Sequence, residues 1–214
     1  QRRGIDQPIA AVVTQVLVDR DYPGFQNPTK GIGGFASEDK ARLFEQDGWR
    51  VVEDAGRGWR RVIASPLPLR IVELDAVRAL VEQGFVVITV GGGGIPVVED
   101  EDGNLVGTRA VIDKDWATSL LAQQLGVDLF LISTAVPQVA INFNEPDEQW
   151  LAKMTAAEAG DYFAQGHFKP GSMGPKIEAV LAFLEAYPAG KALITDPPNI
   201  ARALDGESGT WIEA

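Results

Sequence analysis

Leu74-Asp75-Ala76-Val77-Arg78-Ala79-Leu80-Val81 leads through Gly84 into Phe85-Val86-Val87-Ile88-Thr89-Val90, which ends on Gly91-Gly92-Gly93-Gly94. Leu74, Val77, Leu80 and Val81 fall on one helical face, and Gly84 suits the position just past a helix C-terminus. Phe85–Val90 is a nearly unbroken apolar run of strand length, which predicts a strand covered on both faces. A helix feeding such a strand is a piece of a βαβ layer, and the same alternation recurs downstream. Ala117, Leu120, Leu121 and Leu125 mark a helix closed by Gly126, and Asp128–Ser133 is a second buried strand. Thr155-Ala156-Ala157-Glu158 has capping-box spacing. Pro175 suits the start of a helix carrying Ile177, Val180, Leu181 and Leu184. Lys191–Thr195 and Thr210–Ile212 supply late strands. The pattern predicts an α/β fold: a three-layer sandwich with an open, mainly parallel sheet.

Upstream, Ala10–Val18 reads as one buried strand. Residues 19–64 then turn polar and rich in Asp, Pro, Asn and Gly, with a short helix from Ser37 and short strands near Arg50–Glu53 and Arg60–Ala64. That stretch is expected to leave the main sheet as a small protruding subdomain, so that residues 1–18 and 65–214 form the core.

Composition excludes several classes. The 214 residues are 45% hydrophobic and 23% charged, which suits a folded globular chain and not a disordered one. No apolar stretch has the length of a membrane span, and Gln1–Gly4 has no apolar run behind it, so no signal peptide is expected. With no cysteine and one histidine, His167, disulfides, thiolate sites and a His-rich zinc centre are excluded. Thirty acidic against nineteen basic residues give a net charge of −11, which argues against nucleic acid as a partner. An anionic substrate would need a few placed lysines and backbone N–H groups.

Three segments have that character. Gly91–Gly94 follows a strand and lets backbone approach a ligand, or serves as a plain crossover. Val111-Ile112-Asp113-Lys114-Asp115 sits at a strand-to-helix junction, the ligand end of a parallel sheet. Asp115 there suits a helix cap, whereas Lys114 is unfavourable at a helix N-terminus and needs another reason. Pro170-Gly171-Ser172-Met173-Gly174-Pro175-Lys176 again joins loop to helix start, where N–H groups and Lys176 suit a phosphate. Each lysine-bearing turn also reads as a tight turn with a solvent-facing lysine. His167 has no acidic or hydroxyl neighbour in sequence, which favours a structural or adenine-side role over catalysis. Arg57, Arg60 and Arg61 read as a solvated strand face, and Lys30 alone reads as a loop lysine.

Taken together, Asn27–Gly33, Glu53–Val62, Gly91–Pro96, Val111–Asp115 and Pro170–Lys176 resemble carbamate kinases in order and spacing, from about Val12 to Ile212. The resemblance implies the amino-acid-kinase fold with its protruding subdomain, and cytoplasmic homodimers that convert ADP and carbamoyl phosphate to ATP and carbamate with Mg2+. It implies that Lys114 and Lys176 hold the transferring phosphoryl group and the nucleotide phosphates, with Asp115 orienting them. Lys30 would close over the small anion, and Gly91, Gly92, Gly93 and Gly94 would line the transfer site. The nucleotide would lie against Thr134, Ala135, Val136, Val139, Ala140, Phe168, Met173 and Gly174.

Two departures qualify this. The family's Gly-Gly-Asn-Ala and Gly-Asn-Gly-Pro-Gln-Val-Gly loops are absent, so the chain is expected to represent the C-terminal two thirds of the fold. Where the family reads Thr-Asp-Val-x-x-Val-Tyr, this chain reads Thr134-Ala135-Val136-Pro137-Gln138-Val139-Ala140. Loss of that Asp and Tyr predicts weaker nucleotide binding. The competing expectation is a non-catalytic nucleotide-binding subunit partnering a carbamoyltransferase.

Overall fold

The computed structural model describes Gly4, residues 6–54 and residues 56–214. Readings that touch Gln1, Arg2, Arg3, Ile5 and Ala55 lie outside the described residues. The chain divides into two units, residues 1–117 and 118–214.

The first unit contains β1 (Ile9–Ala11), β2 (Gln15–Val18), β3 (Lys30–Ala36), α1 (Glu38–Gln46), β4 (Arg50–Glu53), β5 (Trp59–Ile63) and β6 (Pro68–Ile71). It continues with α2 (Leu74–Glu82), β7 (Val86–Ile88), β8 (Ile95–Glu99) and β9 (Leu105–Gly107); α3 (Lys114–Leu125) follows. One sheet has the order β6-β2-β8-β9, with β2 and β8 parallel. A second is the parallel pair β1 and β7, and a third is the antiparallel β3-β5-β4, against which α1 packs. This third sheet falls within the polar 19–64 stretch. The core around β2 and β8 holds Val16, Val18, Ile71, Val77, Val97 and Ile112.

The single strand expected over Ala10–Val18 is broken in two. Thr14 causes the break by turning its hydroxyl inward: Oγ1 donates to the Val12 carbonyl at 2.9 Å and accepts from the Val90 N–H at 3.0 Å. It also lies 2.7 Å from Thr89 Oγ1. A buried hydroxyl that takes over backbone partners interrupts the ladder that backbone alone would make. Coverage of the Phe85–Val90 strand also differs from expectation. Its regular part is only Val86–Ile88, and Ile9, Val86 and Ile88 are 61%, 42% and 60% exposed. The pair is only two strands wide, with α2 against β7, so part of its apolar surface stays open.

The second unit holds β10 (Leu129–Ser133), β11 (Val139–Ile141), β12 (Gln149–Leu151), β13 (Lys153–Thr155), α4 (Ala156–Ala164), α5 (Gly174–Ala186), β14 (Lys191–Thr195), α6 (Ile200–Leu204) and β15 (Thr210–Glu213). Its sheet has the order β10-β14-β15-β13, parallel at β10–β14 and β13–β15 and antiparallel at β14–β15. β11 and β12 form a separate antiparallel hairpin. Ile177, Val180, Phe183 and Leu184 of α5 pack into a core with Phe130, Ile132, Ile194 and Ile212. Phe130 and Phe183 meet edge to face at 5.4 Å, a contact of about 1 kcal/mol beyond area burial. The expected capping box is present, with Thr155 and Glu158 each accepting from the other's backbone N–H. The architecture is α/β, with parallel pairings packed against helices, as the alternation of segments predicts.

The glycine run yields a direct test. Gly93 has φ 128°, and a Cβ there would overlap the Ile112 carbonyl oxygen, whereas Gly92 has open space around its would-be Cβ. Gly93→Ala should cost at least about 2 kcal/mol and Gly92→Ala less than about 0.5, read as the urea-unfolding difference between the two variants. Equal costs would mean that the run is a slack crossover.

Candidate functional site

In the first unit the chemistry gathers where the chain enters α3. Val111 N–H donates to the Ala64 carbonyl at 2.9 Å, and Ile112 is buried, which fixes the backbone before the helix. Asp113, not Asp115, then starts the helix. Its Oδ1 accepts the Asp115 N–H at 2.9 Å, and its own carbonyl accepts the Ala117 N–H at 3.0 Å. Asp115 is released from the capping role that its position suggests. It is only 6% exposed, and Lys114 Nζ lies 3.1 Å from both its oxygens.

Lys30, the first residue of β3, reaches the same junction. Its Nζ donates to Asp113 Oδ2 at 2.7 Å, with the two side chains 27% and 22% exposed. Burial pushes the Asp113 carboxyl up. Hydrogen bonds from Lys30 and the Asp115 N–H, with attraction to Lys30 and Lys114, outweigh burial and hold it below its ordinary 3.8. A carboxylate lowered on folding stabilises the fold above its unfolded value, and that contribution is lost as pH falls through the folded value. The Asp113 carboxylate is therefore charged at neutral pH.

Gly91, Gly92 and Gly94 line an apolar groove of about 420 Å³ beside Val13, Ile88 and Ile95. Gly91 and Gly93 N–H groups are spent within the turn, on the Thr89 and Val90 carbonyls at 2.6 and 2.7 Å. The glycine at 93 is required by the close approach to Ile112.

The second unit carries a pocket of about 110 Å³. Thr134, Ala135, Val136, Gln138 and Ala140 form one side, and His167, Lys169, Ser172 and Met173 another. The first side is anchored by the Thr134 N–H on the Thr195 carbonyl at 2.8 Å and by Gln138 Nε2 on the Gly209 carbonyl at 3.0 Å. Of the residues assigned to the nucleotide, Thr134, Ala135, Val136, Ala140 and Met173 line this pocket. Val139 and Phe168 lie in the core beneath it, and buried Gly174 donates to the Lys169 carbonyl at 3.1 Å as α5 begins. Lys176 stands in the first turn of α5, half-buried.

Phe143 and Trp150, which sequence reasoning did not single out, complete the lining and meet edge to face at 5.9 Å and 86°. Trp150 is the register partner of Ala140 across the β11–β12 hairpin. The small residue at 140 thus sits directly opposite a large aromatic. The signal was a short polar stretch, Asn144–Glu148, between two apolar runs, which marks a hairpin. His167 packs edge to face on Tyr162 at 5.7 Å, with Nε2 3.3 Å from Gln165 Oε1. That places His167 on the pocket lining with an amide and an aromatic ring as its neighbours.

Residues 35–195 match the model of the amino acid kinase family. The chain is 48% identical over 213 residues to a carbamate kinase of Thermococcus kodakarensis, covering 99% of this chain and 67% of that one. It is 49% identical over 212 residues to a carbamate kinase of Clostridium perfringens, at 99% and 67% coverage. A solved structure of carbamate kinase from Giardia lamblia bound to AMP-PNP superposes with a TM-score of 0.87 at 40% identity, covering 99% of this chain and 67% of that one. The chain therefore belongs to the amino acid kinase family, among the carbamate kinases.

Proposed function

We propose the following division of labour for a carbamate kinase-type phosphotransferase that moves a phosphoryl group from carbamoyl phosphate to ADP, giving carbamate and ATP. The observation that carries it is the pairing of Lys30 with Asp113 and of Lys114 with Asp115 at the start of α3. Phosphoryl transfer needs little covalent help and much fixed positive charge where negative charge spreads. Lys114 neutralises the transferring group, and Asp115 orients it. Lys30 meets the carbamoyl end of the anion. Lys176, at the start of α5, takes the nucleotide phosphates, aided by the N–H groups of that helix end. Gly91–Gly94 line the side where the carbamoyl phosphate enters.

The second-unit pocket takes the adenine. An Asp and a Tyr are missing at Ala135 and Ala140, but Trp150 supplies aromatic surface from the facing strand and Phe143 from the turn that joins the two strands. The aromatic surface lost with that Tyr thus has a substitute in the pocket lining. Among the described residues no group of three carboxylates or imidazoles forms a metal cage. Magnesium takes most of its ligands from water and substrate phosphates, so it would arrive on the nucleotide. Residues 19–64 serve as the protruding subdomain, the assembly is a homodimer, and the compartment is the cytoplasm. Among the described residues no helix is long and apolar enough to cross a membrane. The non-catalytic alternative draws no support from the relatives.

A coupled assay for ATP formed from ADP and carbamoyl phosphate, run on the full-length protein, tests the assignment. Lys114→Ala and Lys176→Ala should each reduce turnover by about a hundredfold or more, the scale of losing one preorganised charge. Lys191→Ala should be near neutral, because the Lys191 side chain is exposed and its ion pair with Glu213 at 3.1 Å lies at the surface. Similar losses in all three variants would make the two turn lysines ordinary surface charges.

Calorimetric titration of ADP tests the pocket. Trp150→Ala should weaken binding by about tenfold or more, since stacking on a base is worth about 1–3 kcal/mol. Ala140→Tyr alone should bring no gain, because residue 140 faces Trp150 in the hairpin. Tighter binding by Ala140→Tyr would return the base to the family's position.

A further inference from the structure

We infer that Asp113 is a positioning residue for substrate binding, acting through Lys30. The inference rests on the functional reading above, in which Lys30 meets carbamoyl phosphate. Both oxygens of this carboxylate are committed in different directions. Oδ1 accepts the Asp115 N–H at 2.9 Å, and Oδ2 accepts from Lys30 Nζ at 2.7 Å. The first bond holds the carboxyl plane against the start of α3, so the second oxygen is aimed before any lysine arrives.

Lys30 is fixed at its other end too, since its backbone pairs with Ile63 in the β3–β5 ladder. A lysine stem is long and flexible, and its ammonium carries three donors. Asp113 uses one donor and leaves two for the oxygens of an anion. It also balances the Lys30 charge beside Lys114, which has its own carboxylate in Asp115 at 3.1 Å. Without the Asp113 charge, Lys30 loses the carboxylate that holds it at the junction, and the incoming anion must order the stem itself. The cost falls on binding of the small anion. ADP, placed against the other unit's pocket, is unaffected.

Asp113→Asn isolates the effect, because an amide oxygen can still accept the Asp115 N–H while the charge is gone. In the full-length protein, acylation of Lys30 by an acetylating reagent, followed by peptide mass spectrometry, should accelerate about tenfold, the scale of losing one charged hydrogen bond. Exposed Lys40 should label at an unchanged rate, and Asp113→Glu should restore protection of Lys30. KM for carbamoyl phosphate should rise by a similar factor with KM for ADP unchanged. Lys30→Ala combined with Asp113→Asn should be no worse than Lys30→Ala alone. Additive losses, parallel changes in both KM values, or unaltered labelling of Lys30 would overturn the inference. A parent enzyme that makes no ATP would instead defeat the functional reading, and labelling would then decide the positioning role by itself.

Discussion

Gly93 can take no side chain, because a Cβ would overlap the Ile112 carbonyl, and Gly94 is equally closed in by Val16. Through that approach the loop after β7 presses on the two places that organise the first unit. Val16 lies in the centre of the β2 core, and Ile112 is the last fully buried residue before the charged junction. Asp113, Lys114 and Asp115 therefore leave a backbone that is held from behind, and Lys30 joins them from β3. A side chain at 93 would push on the peptide that sets the direction of both carboxylates. The four-glycine run is thus a packing requirement at 93 and 94, and 92 is the position with room to vary.

In a protein of net charge −11, cations are scarce, and the two lysines of the α3 junction are not left to repel each other. Each has its own carboxylate, at 2.7 Å for Lys30 and 3.1 Å for Lys114. Two bare ammonium groups side by side would repel one another, whereas each here has a carboxylate to offset its charge. The two pairs bring the junction close to neutral. In the proposed function that is preorganisation in the electrostatic sense: charge is set in place ahead of the substrate's negative oxygens. The acidic surface elsewhere, including the hairpin around Asp100, offers an anion little to compete with this spot.

The second unit solves a different problem, a flat apolar surface on a small frame. Thr134–Ala140 is tied to β14 and β15 by the Thr195 and Gly209 carbonyls and by Thr210 Oγ1, which accepts the Val139 N–H at 2.7 Å. Val139 and Phe168 support the pocket from the core, while Ala140 leaves room for Trp150 across the hairpin. Large and small residues at facing strand positions are interchangeable as a pair: cross-strand neighbours share one volume. An aromatic deleted from one strand can therefore be replaced from its partner with little change in backbone.

That exchange marks the limit of what a single sequence discloses. The helices of Leu74–Glu82 and Gly174–Ala186, the strand Leu129–Ser133 and the Thr155 capping box were legible, because periodicity and caps are local signals. The lysines were legible through their turns and their resemblance to a family. Three features were not, and each depends on a partner remote in the chain. Thr14 interrupts a strand because Thr89 and Val90 lie beside it, 75 and 76 residues on. Asp113 displaces Asp115 as the helix-starting residue because Lys30, 83 residues earlier, rewards its placement. Trp150 belongs to the pocket because hairpin register sets it opposite Ala140. In all three cases the residue type was visible and its orientation was not. Orientation is decided by which long-range contact satisfies a buried hydroxyl, a carboxylate or an aromatic face, and no window along the chain contains that information.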